Sequence, residues 1–338
     1  MKICMIIASI GEGGLEKHTR ELSQQLLAMG HQVTVLAHES FLATLSEETE
    51  RCPIPAELSR RHPRLLWYVL RHLRRYRYDI IHAQANKAAA IMATLRRMVS
   101  PPIIGTLHNI KRNTKMFCQL NHTITVSKRL AQSLPAATTT VVYNGIQPTQ
   151  IEHIDLREKY QLATDKPVLC SVGRLVEAKG FDLLLEAVSG LSLSLLIAGD
   201  GPLKAKLIEQ IATMPSETEV YLIGHVEEAA KLMASADGVV ISSRREGFSY
   251  VFVEAVMAKA KILSTPVPVS EILQLPSELT VAIDDMTDFR EKVHYLMTHQ
   301  QAWHAAMEPI YRRGAEELTL EKMTDKTLAV YRDVLGKT

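Results

Sequence analysis

The run Val239-Val240-Ile241-Ser242-Ser243-Arg244-Arg245-Glu246-Gly247-Phe248-Ser249-Tyr250-Val251-Phe252-Val253-Glu254-Ala255-Val256 decides how the chain is read. It opens as a short β-branched strand, turns at a charged loop and re-emerges as a helix, which is half of a βαβ unit. Gly247 allows backbone to come close to a ligand. Ser249 is placed to cap the helix, so the N–H groups of Tyr250, Val251 and Phe252 point back at the loop. A helix start of that kind is an anion site. Glu246 lies in the loop and Glu254 a little over one turn into the helix, with seven residues between them.

Upstream, the same half of the chain repeats strand, loop and helix. Pro167–Gly173 is an apolar strand, followed by Arg174-Leu175-Val176-Glu177-Ala178-Lys179-Gly180 and a helix. Leu193–Ala198 is a second strand, closed by Gly199-Asp200-Gly201-Pro202, and helix 203–212 follows. Val220–Val226 is a third strand and passes His225 and Val226 at its exit. A helix over 228–236 leads into the opening stretch, and 260–265 forms one more strand. Residues 287–335 read as helices, the last from about Leu320.

Two glutamates eight apart are a weak signal by themselves. In this order and company, they resemble the E-x7-E element of the retaining glycosyltransferases of family 4, which use the two-domain GT-B architecture. The frame Gly173-Arg174 to Lys179-Gly180 resembles that family's G-R-x-x-x-x-K-G element, and Ala198–Pro202 its A-G-D-G-P turn. The likeness spans roughly residues 167–270. The resemblance implies two Rossmann-like parallel-sheet α/β domains facing across a cleft, with a C-terminal helix crossing back to the first. Boundaries on this reading are 1–150 for the acceptor domain, 151–320 for the nucleotide-sugar domain and 321–338 for the returning helix.

The first half starts as a Rossmann-type fold does. Residues 2–9 are a near-continuous apolar run, as a parallel strand covered on both faces requires. Gly11-Glu12-Gly13-Gly14 follows, then a helix over 15–29 and a strand over 31–37. The dinucleotide fingerprint G-x-G-x-x-G is absent, which disfavours a nicotinamide oxidoreductase. Residues 79–84, 103–109, 123–128 and 141–146 read as further strands, and Asn144-Gly145 as a turn. His108 ends one of these strands, where open parallel sheets bind ligands.

Residues 58–78 carry seven arginines with Trp67, Tyr68, Tyr76 and Tyr78 among them. After Pro63, the residues Leu65, Leu66, Val69, Leu70 and Leu73 fall on one helical face. The expected helix therefore packs by that face and offers Arg60–Arg77 to an anionic membrane, each near-surface charge contributing ~1 kcal/mol. No nucleic-acid motif accompanies the charges, so nucleic acid is not the expected partner.

Composition bounds the rest. The chain has 338 residues, 46% hydrophobic and 22% charged, ordinary values for a globular protein of two domains. No apolar run is long enough to span a bilayer. Four scattered cysteines without a C-x-x-C suit reduced thiols and a cytoplasmic setting. The net charge of +2 hides an asymmetry, because residues 1–150 hold 19 Lys+Arg against 9 Asp+Glu. Only that half is expected to meet an anionic surface.

By resemblance, the chain moves a sugar from a nucleotide-sugar donor, uridine-linked by family frequency, to a glycan or glycolipid of bacterial lipopolysaccharide, O-antigen or capsule. Arg174 and Lys179 would hold the departing diphosphate, helped by Phe248, Ser249, Tyr250 and Val251 at the helix start and by Gly13 and Gly14. Glu254 would accept from the ribose hydroxyls, and His225 and Val226 would meet the base. Glu246 and His108 would lie by the donor sugar. No D-x-D pair exists, so no metal or other cofactor is implied. Three alternatives stay open: a non-hydrolysing sugar-nucleotide epimerase of the same architecture, a non-catalytic sugar-nucleotide-binding homologue and, less favoured, the oxidoreductase.

Overall fold

The computed structural model describes residues 1–11, 13–110, 113–148, 151–283 and 285–337; Glu12 and the expected domain boundary at 150 fall outside them. The chain forms two compact units, Met1–Gln147 with Leu318–Thr338, and Pro148–Glu317.

In the first unit the strands are β1 (Lys2–Ile7), β2 (Gln32–Ala37), β3 (Glu50–Pro53), β4 (Ile80–Gln84), β5 (Ile103–Leu107), β6 (His122–Thr125) and β7 (Thr139–Val141). Its helices are α1 (Gly14–Ala28), α2 (Glu39–Leu42), α3 (Pro63–Arg75), α4 (Ala85–Leu95) and α5 (Lys128–Ala131). The second unit carries β8 (Val168–Val172), β9 (Leu193–Ala198), β10 (Thr218–Gly224), β11 (Gly238–Ile241) and β12 (Ile262–Ser264). Its helices are α6 (Leu156–Tyr160), α7 (Phe181–Val188), α8 (Lys204–Ala212), α9 (Ala229–Ser235), α10 (Tyr250–Met257), α11 (Pro268–Leu273), α12 (Met286–Thr298) and α13 (Gln300–Glu317). Helix α14 (Leu320–Gly336) belongs to the first unit again.

Both sheets are parallel. The first has the order β3-β2-β1-β4-β5-β6-β7 and the second β10-β9-β8-β11-β12. Two Rossmann-like α/β units are thus present. In each sheet the order reverses beside the first strand, between β1 and β4 and between β8 and β11. Ligands of open α/β sheets bind outside the carboxyl ends of strands at such a point.

The central strands are apolar because both faces are covered. Ile3, Met5 and Ile7 of β1 pack with Leu22 and Leu26 of α1 and with Leu328, Tyr331 and Val334 of α14 in one core. Each fully buried side chain of this size contributes about 1.5–3 kcal/mol. α14 is therefore part of the first unit's core. In the second unit Trp303 lies over Gly238, where any Cβ would collide with the indole, and donates its ring N–H to Ile262 O at 3.0 Å.

Two local expectations change, and one strand is unexpected. Asn144-Gly145 forms no turn: the chain leads without one to a bridge between Ile146 and Thr319. Gly145 is needed because it lies against the backbone of Thr319 and Leu320, where a side chain has no room. β3 carries no apolar signal because it is an edge strand with a partly exposed face. On α3 the buried residues are Leu65, Val69 and Leu73, while Leu66 and Leu70 are half-buried.

Candidate functional site

In the second unit the loops leaving β8, β9, β10 and β11 are knitted together by backbone. Gly173 N donates to Ala198 O at 2.9 Å, Leu175 N to Asp200 O at 2.9 Å, and Gly199 N to Gly224 O at 2.6 Å. A Cβ on Gly199 would strike Gly173 O, and one on Gly201 would strike the backbone of Leu175. The Gly199–Pro202 turn thus serves close packing. Gly180, at φ 65°, lies equally tightly against Ser242 O. This pins the loop after β8 to the end of β11, across the sheet's reversal point.

That junction gathers the charged residues. Lys179 Nζ lies 2.5 Å from Glu246 Oε1, which also accepts from Ser243 Oγ at 3.0 Å. Ser242 Oγ donates to Lys179 O at 3.0 Å, and Arg245 N to Ala178 O at 3.2 Å. Arg244 bonds Asp182 through both guanidinium arms, at 2.6 and 2.9 Å. That fork holds the Asp182 carboxyl below its ordinary range. Arg174 differs: it is exposed and has no carboxylate partner among the described residues.

Helix α10 starts beside Glu246. Ser249 is its N-cap by position, but its side chain does not cap the helix. The residue sits at φ 96°, an unfavourable region for a side chain, and its buried hydroxyl has no hydrogen-bond partner among the described residues. An orphan hydroxyl on a strained backbone, at a helix start rich in N–H donors, has what an anion needs. Phe248 is buried, with its ring edge-on to Tyr250 at 6.4 Å, so only its backbone is available to a ligand. Val251 and Glu254 are half-buried on the first turns of the helix.

His225 and Val226 stand apart from this cluster. They line a cavity of about 260 Å³ with Tyr160, Lys159 and Lys231. Their link to the cluster is the Gly199–Gly224 hydrogen bond.

In the first unit Gly13 is the N-cap and Gly14 the first residue of α1, whose Glu16 is buried and accepts from Ser9 Oγ at 2.5 Å. His108 Nε2 lies 2.8 Å from Gln84 Oε1, and its ring meets His18 edge-on at 4.6 Å. The amide oxygen makes Nε2 the protonated nitrogen, leaving Nδ1 as the acceptor. Burial, with His18 and His82 nearby, holds His108 well below the ordinary histidine range. It is a neutral imidazole near pH 7.

His82 was not singled out by the sequence, nor were its neighbours. It is buried in β4, with Nδ1 2.6 Å from Tyr331 O–H and Nε2 2.6 Å from Thr106 Oγ1. His18 and Asn144 are buried side by side, and among the described residues neither His18 ring nitrogen nor Asn144 Oδ1 has a well-formed hydrogen bond. Ala85, which starts α4 after β4, is at φ 63°. Both reversal points therefore carry a strained non-glycine residue, Ala85 in one sheet and Ser249 in the other.

Comparison with known proteins bears on the two-unit architecture and the family. Residues 152–308 match the family "Glycosyl transferases group 1", and residues 12–150 match "Glycosyltransferase Family 4". An uncharacterised glycosyltransferase of Methanocaldococcus jannaschii is 26% identical over 309 residues, covering 77% of each chain. The O-antigen biosynthesis glycosyltransferase WclY of Escherichia coli is 23% identical over 294 residues, covering 78% of this chain and 81% of the relative. Among solved structures, Anabaena Alr3699/HepE in complex with UDP and glucose superposes with a TM-score of 0.84 at 17% identity, covering 98% of this chain and 100% of that one. Two matched halves in sequence order, two Rossmann-like units and one shared architecture lead to a single assignment: the chain is a glycosyltransferase and belongs to family 4, the group 1 glycosyl transferases.

Proposed function

We propose that the enzyme is a retaining transferase that takes a UDP-linked sugar and delivers it to a glycan or glycolipid acceptor of a bacterial surface polysaccharide. The observation that carries the reading is the Lys179–Glu246 pair just before the start of α10, with the orphan hydroxyl of Ser249 three residues on and Arg174 exposed in the loop after β8. The O-antigen role in the name of the Escherichia coli relative and the UDP in the Anabaena structure support the choice of acceptor and donor.

In this mechanism Arg174 and Lys179 face the diphosphate, whose negative charge grows as the glycosidic bond breaks. Arg174 gives a planar fork and Lys179 a point charge, and both favour the departing state over the ground state. The N–H groups opening α10 and the Ser249 hydroxyl add neutral donors. Glu254 accepts from the ribose hydroxyls, and a carboxylate accepting two hydroxyls is a strong contact. Glu246 holds sugar hydroxyls once Lys179 has turned to phosphate. His108, fixed as the Nε2–H tautomer, offers Nδ1 to a sugar hydroxyl. The acceptor attacks from the face the diphosphate leaves, and a phosphate oxygen takes its proton. The cations and helix start are proposed to neutralise the diphosphate in place of a metal.

The outer face of α3 is proposed to rest on anionic membrane. Trp67 is 52% exposed and Tyr76 46% exposed. Arg71 lies over the Trp67 ring at 5.1 Å, and Arg75 over Tyr76 at 5.6 Å. Arginines interleaved with exposed aromatic rings suit a headgroup layer.

A thermal-shift panel with UDP, GDP, ADP and their sugars, with and without chelator, tests the donor reading. Stabilisation by the uridine compounds in both conditions is expected, since a ligand that binds only the folded state raises its melting point. No shift with any nucleotide would end it.

A further inference from the structure

A shallow cavity of about 260 Å³ opens in the first unit, bounded by the chain just before α3, by α4 and the turn after it, and by the segment after β5. Its charged lining has one sign. Arg60, Arg61, Arg96 and Lys115 bound it, and among the described residues no carboxylate does. None of the four has an ion-pair partner among the described residues. Like charges around one hollow repel each other, a cost that a bound polyanion removes.

The cations are held in place. Arg96 Nη1 donates to Ala93 O at 2.6 Å and to Gln119 Oε1 at 2.9 Å. Asn113 Oδ1 accepts from the Lys115 backbone N–H at 3.0 Å, and Asn113 O accepts from Asn86 Nδ2 at 3.3 Å. So Arg96 and the backbone beneath Lys115 stand on hydrogen-bonded supports. The side-chain amides of Asn113 and Gln119 add neutral donors to the lining.

We propose that this cavity binds a diphosphate group that joins the acceptor glycan to its lipid, a second diphosphate distinct from that of the donor. The proposal rests on the transferase reading above. Charge argues for it: one carboxylate occupies a single guanidinium fork, whereas a diphosphate diester brings two adjacent anionic centres. Size argues for it: the hollow has room for about eight or nine waters, enough for a P–O–P group and its oxygens. Position argues for a lipid-borne source, because Arg60 and Arg61 run directly into α3 and its exposed arginine and aromatic face.

The test uses the full chain. Inorganic pyrophosphate is titrated calorimetrically into protein saturated with UDP, and again without UDP. Neutral phosphatidylcholine vesicles are compared with the same vesicles carrying a long-chain prenyl diphosphate or phosphatidylglycerol. The variants are Arg61→Gln/Lys115→Gln and, separately, Arg96→Gln, each checked for an unchanged melting point; the double variant stands if Arg96→Gln fails to fold. Expected are a pyrophosphate site that persists with UDP present, and a loss of about tenfold or more in the double variant on pyrophosphate and on prenyl-diphosphate vesicles. Binding to UDP should stay, and binding to phosphatidylglycerol vesicles should fall only by the few-fold that the lost surface charge accounts for, well short of the loss on prenyl-diphosphate vesicles. Complete displacement of pyrophosphate by UDP, or unchanged affinity in the double variant, overturns the proposal. Pyrophosphate binding without a preference for prenyl-diphosphate vesicles overturns the lipid-borne source. Failure of the donor reading is separate, because wild-type protein then gives no heat with UDP while the vesicle comparison still reads the cavity.

Discussion

Lys179 and Glu246 share a 2.5 Å ion pair, so the cation proposed for the donor's diphosphate is already engaged by a carboxylate of the next loop. Both side chains are mostly shielded, 21% and 13% exposed. An incoming diphosphate competes with Glu246 for Lys179. Lys179→Gln is expected to weaken UDP binding about tenfold, the scale of one lost charged hydrogen bond. Glu246→Gln is expected to leave UDP binding equal or tighter while turnover falls. Calorimetric titration of both variants checks this, and weaker UDP binding in Glu246→Gln would contradict it.

Arg174 has no such competitor. Arg174→Ala is expected to cost ~3–4 kcal/mol of transition-state stabilisation, or roughly 10²–10³ in turnover. The melting point should hold, since the side chain is exposed and makes no ion pair among the described residues. A variant with near-wild-type turnover would remove the residue from the mechanism.

Gly180 holds the loop of Lys179 against the end of β11. Gly180→Ala places a methyl against Ser242 O and forces a left-handed backbone on alanine. A loss of about 2 kcal/mol or more of unfolding free energy is expected, with UDP affinity falling alongside. A urea melt at wild-type midpoint would show that the loop has slack the packing does not suggest.

Stability should fall in mild acid because of the buried histidines. Burial pushes the pKa of His18 down to about 4 and that of His82 to about 3, from an ordinary 6.5. Between those values and 6.5 the unfolded chain binds protons that the folded chain refuses, so stability rises with pH. The contribution is complete above 6.5 and drains away as pH drops toward the folded values. Each histidine accounts for on the order of 2 kcal/mol at pH 5. His82→Gln should flatten the dependence of the urea midpoint on pH between 6.5 and 4, and an undiminished slope would assign the acid loss elsewhere.

Trp67→Ala/Tyr76→Ala should reduce co-sedimentation with anionic vesicles several-fold, because each exposed ring adds apolar area at the headgroup layer. Neutral vesicles should retain little of either protein at low salt. Equal recovery of wild-type protein on neutral and anionic vesicles would exclude the α3 face as a lipid contact.

The sheets were readable because buried parallel strands announce themselves as short apolar runs, and β1, β8, β9 and β11 fall within such runs. Edge strand β3 was not, because Glu50-Arg51-Cys52-Pro53 has no apolar face to report. Arg174, Lys179, Glu246 and Glu254 were singled out by the likeness of their motifs to those of family 4. Their mutual arrangement was not legible: Lys179 and Glu246 are 67 positions apart, and nothing local to either names the other. Ser249 could be placed as a cap by residue type, yet its strained φ arises from the packing of the loop and is invisible in a string of letters. His82 looks like any polar residue in a strand until Tyr331, 249 positions later, is brought to it by α14. A histidine between apolar strand residues, as in Ile80-Ile81-His82-Ala83, was the one available hint.

The core of the first unit holds Ile3 and Met5 from the start of the chain and Leu328, Tyr331 and Val334 from its last helix. On the ribosome, the domain made first is therefore the one finished last. The second unit has all its strands and helices by Glu317 and can close while the earlier one still lacks a wall. Nascent chains halted near residue 317 should show a protease-resistant second half beside a first half that chaperones still recognise.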